Sequence, residues 1–285
     1  MEKFPQAAER LLAAGLFPAG QGPRRVDPVG EDDLFRVHDR AYAAAIRNDG
    51  LAGYDRNRLG LPHHPRLYDR SRLEVEGTRR AALAALEDGM AANLAGGTHH
   101  AMANRGLGFC VFNDVAVSIK HLRMDRPHLY IMIVDTDAHQ GNGSHALLAD
   151  DGRTFCYSIH VGRNYPAHKV PGDLDVPLPR WVDGATYLSA LQETLDPAFL
   201  QFEPDLVFWI SGADPHIEDR FGQMRLTDED IAERDRRVVS PCLRWQVPLV
   251  VLFGGGYNRQ PGGTGRLHAE TVLRAARLFE AGRSG

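Results

Sequence analysis

From about residue 71 onward the chain alternates between two hydrophobic rhythms. Segments 71–88, 114–123, 184–200, 228–245 and 267–281 carry apolar residues at helical spacing and predict helices. Between them lie short, nearly unbroken apolar runs at 91–95, 129–134, 154–159, 206–210 and 249–253. Unbroken rather than alternating runs predict strands buried on both faces, as in a parallel sheet. Gly89 marks a helix stop, and Thr227 with Asp230 forms the sequence pattern of a capping box. Stretches 20–30 and 50–70, rich in Gly, Pro and Arg, read as surface loops. No repeat or linker divides the chain, so 1–285 reads as one domain. The alternation predicts a doubly wound, mostly parallel α/β sheet with helices on both faces.

That architecture gives meaning to where the polar residues fall. In an open parallel sheet, ligands collect beyond the carboxyl ends of the strands. His99 and His100, Asp135, Asp137 and His139, Asp214, and Tyr257 each follow or close a predicted strand. Distant parts of the sequence are therefore expected to meet at one edge. Asp137 and His139, two residues apart, can both face one ion, and Asp214 supplies a third ligand. Two oxygens and one nitrogen with an open position suit a catalytic divalent metal, most simply Zn2+, although iron or cobalt could fill the same ligands. Each residue taken alone reads more simply as a cap or loop residue; it is their combination that favours the metal.

His99 and His100 follow the turn Gly96-Gly97-Thr98 and can serve proton transfer, with Asp135 the natural orienting carboxylate for one of them. Tyr257 follows three glycines and can donate to an oxyanion. His63 and His64, in a Pro-rich loop, read as solvent-exposed. A rival pattern, Gly141-Asn142-Gly143-Ser144-His145-Ala146, matches a dinucleotide fingerprint, but it does not open at the strand end and no acidic residue closes the next strand. Nor does a Gly-Lys-Ser/Thr follow the 254–256 glycines to make a phosphate loop.

Bulk properties narrow the class. A net charge of −4 gives no basic footprint for nucleic acid. No apolar run approaches the roughly 20 residues of a membrane span, and the mixed-charge start is not a secretory signal. Three cysteines without Cys-x-x-Cys spacing point to thiols in a reducing cytoplasm.

The segments 96–101, 106–114, 134–143, 212–215 with 219–222, and 254–257, together with Val37-His38-Asp39-Arg40-Ala41-Tyr42, resemble the zinc-dependent histone deacetylase family in its arginase-like fold. The likeness runs from about residue 2 to about 280. His139-Gln140-Gly141-Asn142 is most similar to class IV enzymes and their bacterial relatives. The resemblance implies Asp137, His139 and Asp214 as zinc ligands, His99 and His100 as the acid–base pair, and Tyr257 as the group polarising an acyl carbonyl. It implies Asp135 as the partner of His99. Asn142 stands where many relatives have an aspartate beside the second histidine, which makes a charged His100 less favourable. Gly108 and Phe109 are implied walls of an acyl-lysine channel, with Tyr165 facing them, and a K+ ion near 135–139 is also implied.

The expected activity is hydrolysis of an N-acyl amide of acetyl-lysine type. Small acetylated amines, polyamines or long-chain acyl-lysine are alternative substrates, and a non-catalytic acyl-lysine binding module is a further reading. Two departures stand out. The chain starts where relatives already enter their first helix, so either the start site is misassigned or the sheet is expected to lack their first strand. The 61–65 loop carries histidines where bacterial relatives often have tryptophan.

Overall fold

The computed structural model describes residues 2–283. Four helices, α1 (Lys3–Ala13), α2 (Glu31–Leu34), α3 (Arg40–Arg47) and α4 (Gly53–Leu59), precede the long α5 (Leu67–Asp88). Strand β1 (Met90–Asn93), α6 (Asp114–Asp125), β2 (Ile131–Asp135), α7 (Asn142–Leu148), β3 (Thr154–Val161) and β4 (Leu174–Leu178) follow. The chain continues through α8 (Gly184–Phe202), β5 (Leu206–Ile210), α9 (Asp228–Arg244), β6 (Leu249–Leu252) and α10 (Gly263–Arg283). The strands pair in the order β1-β6-β5-β2-β3-β4, and every pairing is parallel.

The unbroken apolar strands are explained by what covers them. Along β2, Met132 and Val134 pack into a core shared with α1, α8, α9 and α10. Ile131 and Ile133 point the other way, onto α5 and α6. Successive side chains of a strand face opposite sides, so both must be apolar where both sides are covered. Helix ends follow their local chemistry. Gly89 closes α5 at φ +80° and donates its N–H to Ala85 O. Thr227 and Asp230 form the reciprocal capping box that opens α9.

Parts of the 50–70 stretch are helical rather than loop. It contains α4, and α5 begins at Leu67 rather than near 71. The half-buried edge strand β4, containing Pro177, lies outside the apolar runs. As for the expected missing strand, among the described residues the ladder runs unbroken from β1 to β4, with those two at its edges. β1 is half-buried, with Met90 and Ala92 on one core and Ala91 on the other.

The register sets Asn93, Leu252, Ile210 and Asp135 at one level. Because all the strands run the same way, the loops that leave this level share one edge of the sheet.

Candidate active site

Those loops enclose a cavity of about 830 Å³. Its lining includes His99, His100, Asp137, His139, Asp214 and Tyr257, with Gly108, Phe109 and Tyr165. Asp135 and Asn142 stand behind the two histidines, so the site residues expected from the sequence do converge.

Asp137, His139 and Asp214 are buried, and their donor atoms lie within 4.8 Å of one another. The His139 Nδ1 is 2.9 Å from Asp214 Oδ2 and 3.1 Å from Asp137 Oδ1. The backbone fixes how these groups face one another. Ala138 N–H donates to Asp214 Oδ1 at 2.9 Å, and Gly255 N–H donates to Asp137 Oδ2 at 2.6 Å. His139 N–H donates to Asp137 Oδ1. Glycine is required at 255, since a Cβ there would sit 2.5 Å from Asp214 Oδ2 and 2.6 Å from Asp137 Oδ2.

The chemistry of this donor set fits a divalent cation. Burial and the neighbouring Asp137 charge push the Asp214 carboxyl up to about 7. Burial also opposes ionisation of Asp137, but the His99 and His139 charges outweigh it and hold Asp137 well below the usual carboxylate range. His139 is disfavoured as a cation by burial, yet its bonds to both carboxylates push it well above the ordinary imidazole value. Two buried carboxylates thus face one imidazole nitrogen, and a cation held among the three would favour the ionised form of both. Tetrahedral ligation at zinc-like bond lengths separates ligand atoms by roughly 3.3 Å, near the 2.9 and 3.1 Å that separate His139 Nδ1 from the two carboxylates.

Since the ion displaces protons, its affinity should fall on acidification. For each proton released, binding is expected to weaken about tenfold per pH unit. Competition titrations between pH 6 and 8 measure this, and a flat profile would count against the three-residue site.

The His99 and His100 rings lie 4.0 Å apart. His99 Nδ1 donates to Asp135 Oδ2 at 2.6 Å. Burial pulls this imidazole down, but the Asp135 and Asp137 carboxylates prevail and push it up to about 9. His100 Nδ1 meets only the neutral Asn142 Oδ1, at 2.9 Å. Burial and the charges of His99 and His139 hold it well below the ordinary value. The turn that presents the pair is fixed by Asp114, which accepts from Gly97 N–H at 2.9 Å and Thr98 N–H at 2.8 Å.

Burial, reinforced by the surrounding Cys110, Asp137, Asp214 and Asp219, pushes the Tyr257 phenol above its usual value, so it remains a donor. Its ring lies 5.4 Å from Phe109 and 5.1 Å from Phe221. Tyr165 stands edge-on to His100 at 4.9 Å. Gly108, at φ +52°, leaves the opening beside these two rings; a Cβ there would come within 2.7 Å of His100 and 2.9 Å of Tyr165.

Three contributors lie outside the site residues expected from the sequence, although Asp219 falls in the 219–222 segment that carries the resemblance. The buried Asp219 accepts from Phe221 N–H, Gly222 N–H and Tyr257 N–H at 2.8, 3.0 and 2.6 Å, tying two loops together. The end of α4 supports the channel wall, as Arg58 O and Leu59 O accept from Gly108 and Phe109 N–H. From α1, the half-buried Lys3 donates to Gly254 O at 2.8 Å.

The chain is similar to known proteins in both sequence and fold. A family model described as histone deacetylase domain matches residues 1–272. An uncharacterized protein of Picosynechococcus is 38% identical over 261 residues, covering 90% of this chain and 87% of that one. Histone deacetylase 2 of Arabidopsis thaliana is 34% identical over 265 residues, covering 86% of this chain and 65% of the relative. The acetoin utilization protein AcuC of Staphylococcus xylosus is 27% identical, covering 90% of this chain and 73% of the relative. Among solved structures, an HDAC homolog complexed with SAHA aligns with a TM-score of 0.78 at 24% identity, over 96% of this chain and 76% of that one. The HDA15 HD domain aligns at 0.76 and 20% identity, over 97% and 83%.

Proposed function

The chain belongs to the histone deacetylase family, and from that premise we propose that it is a zinc-dependent hydrolase of N-acyl amides, acting on acetyl-lysine or a closely similar acylated amine. The observation that carries this reading is the buried Asp137–His139–Asp214 donor set, lying beside two imidazoles and a neutral phenol in one cavity. When bound, zinc would act as a Lewis acid on the acyl carbonyl and acidify a water molecule.

The remaining work falls to the side chains. Gly108, Phe109 and Tyr165 receive the alkyl stem and exclude water. His99 and His100 have surroundings that favour opposite protonation states, the arrangement acid–base transfer needs. One removes a proton from the attacking water, and the other delivers one to the leaving nitrogen. Asp135 and Asn142 fix the ring orientations through Nδ1, which leaves each Nε2 for the substrate side. Tyr257 donates to the carbonyl oxygen as negative charge gathers there. The C–N bond breaks, and a carboxylic acid and a free amine result. The K+ ion near 135–139 and the cytoplasmic setting belong to the same proposal.

Metal-loaded protein should cleave acetyl-lysine peptides. kcat/KM compared across acetyl-lysine, longer acyl-lysine and acetylated polyamine assigns the substrate, and a panel with no cleaved member would overturn the hydrolase reading.

A further inference from the structure

The mouth of the cavity carries a charge pattern separate from the chemistry below it. Arg58, Arg220 and Arg259 line the cavity and are exposed. Arg58, at the end of α4, touches the Tyr54 ring and lies near enough to Tyr165 for its charge to act on that phenol. Arg220 and Arg259 come from the two loops that Asp219 ties together. Arg220 N–H donates to Tyr257 O, and Arg259 N–H donates to Glu218 O. Among the described residues, none of the three guanidiniums forms an ion pair.

The carboxylates in the same lining are otherwise engaged, apart from the exposed Glu2. Asp137 and Asp214 face His139, and Glu74 is paired with Arg70. Beside the arginines stand the exposed rings of Phe109, Tyr165 and Phe221. A chain with a net charge of −4 thus presents unpaired positive charge around this opening.

We propose that this arginine rim selects substrates whose acylated amine is flanked by carboxylates, an acyl-lysine within an acidic peptide, and that it rejects polycationic acylamines. The inference rests on the hydrolase reading for its substrate, but its physical content is binding. Unpaired guanidiniums attract carboxylates and repel ammonium groups, and a cleft with charge of one sign also steers encounter. Exposed pairs are individually weak, so the three together should give about a tenfold preference.

The test uses the metal-loaded full chain and two fluorescent acetyl-lysine peptides of equal length, one flanked by Asp and Glu and one by Lys and Arg. Binding by anisotropy and kcat/KM are measured at low and high salt. The expected result is about tenfold tighter binding of the acidic peptide, shrinking as salt screens the rim. The preference should reverse in R58E/R220E/R259E. The salt series on the unaltered protein provides the same test without relying on the variant's folding. Equal binding, tighter binding of the basic peptide, or binding of neither would overturn the proposal. Preferential binding of the acidic peptide without cleavage would uphold the rim and sink the hydrolase reading instead.

Discussion

His99→Ala is expected to lower kcat of the metal-loaded protein by about 10²- to 10⁴-fold, the usual contribution of a positioned acid–base group. The imidazole is buried, bonded through Nδ1 to Asp135 at 2.6 Å, and its Nε2 lies 3.9 Å from Asp137 Oδ1. KM should change little, because His99 faces the reacting atoms rather than the channel walls. Asp135→Asn tests the same unit from behind. It keeps a hydrogen-bonding group but removes the charge that raises His99, so the pH dependence of kcat should shift while folding is retained. A His99→Ala protein with near-normal turnover, or an Asp135→Asn protein with an unchanged pH profile, would remove this pair from the mechanism.

Tyr257→Phe should cost about 10²- to 10³-fold in kcat, comparable to losing one oxyanion donor. The change deletes a single oxygen. The ring's contacts with Phe109 and Phe221 remain, as does the backbone bond from residue 257 to Asp219. The loop should therefore hold its place, and metal content and thermal stability should match the parent. Loss confined to kcat would identify the phenol as a donor that strengthens in the transition state. A rise in KM alone would make Tyr257 a binding wall.

Much of this site could be read before folding because the sheet does the gathering. Asp135 is the last residue of β2, and Asp214 and Tyr257 lie shortly after β5 and β6. Parallel strands deliver all three to one edge whatever their separation in sequence. The short apolar runs of β2, β3, β5 and β6 were legible because those strands are buried on both faces. β4 was not. It is a half-buried edge strand with Asp175 and Pro177 in its five residues, and its pairing with β3 stabilises what its own pattern does not declare.

Helix α4 was hidden for a similar reason. Of its seven residues only Leu59 is buried, and two of the bonds that hold it come from Gly108 and Phe109, far along the chain. The composition of 50–70 suggested a loop, whereas tertiary contacts fold part of it into support for the channel. Asp219 likewise carried no spacing that announces its three backbone partners. The approach of Lys3 to Gly254 depends on α1 packing against α10. The partners of His99 and His100 were expected as Asp135 and Asn142, and the structure places them at 2.6 and 2.9 Å.

The central claim is that one divalent ion on Asp137, His139 and Asp214 makes this chain an amide hydrolase. Titrating metal-free protein with Zn2+ while following both bound metal and cleavage of an acetyl-lysine peptide tests it most directly. The account predicts that activity rises with occupancy and saturates at one tightly bound ion per chain, and that Asp214→Ala abolishes both. Full activity without metal, or tight zinc binding that survives Asp214→Ala, would contradict it.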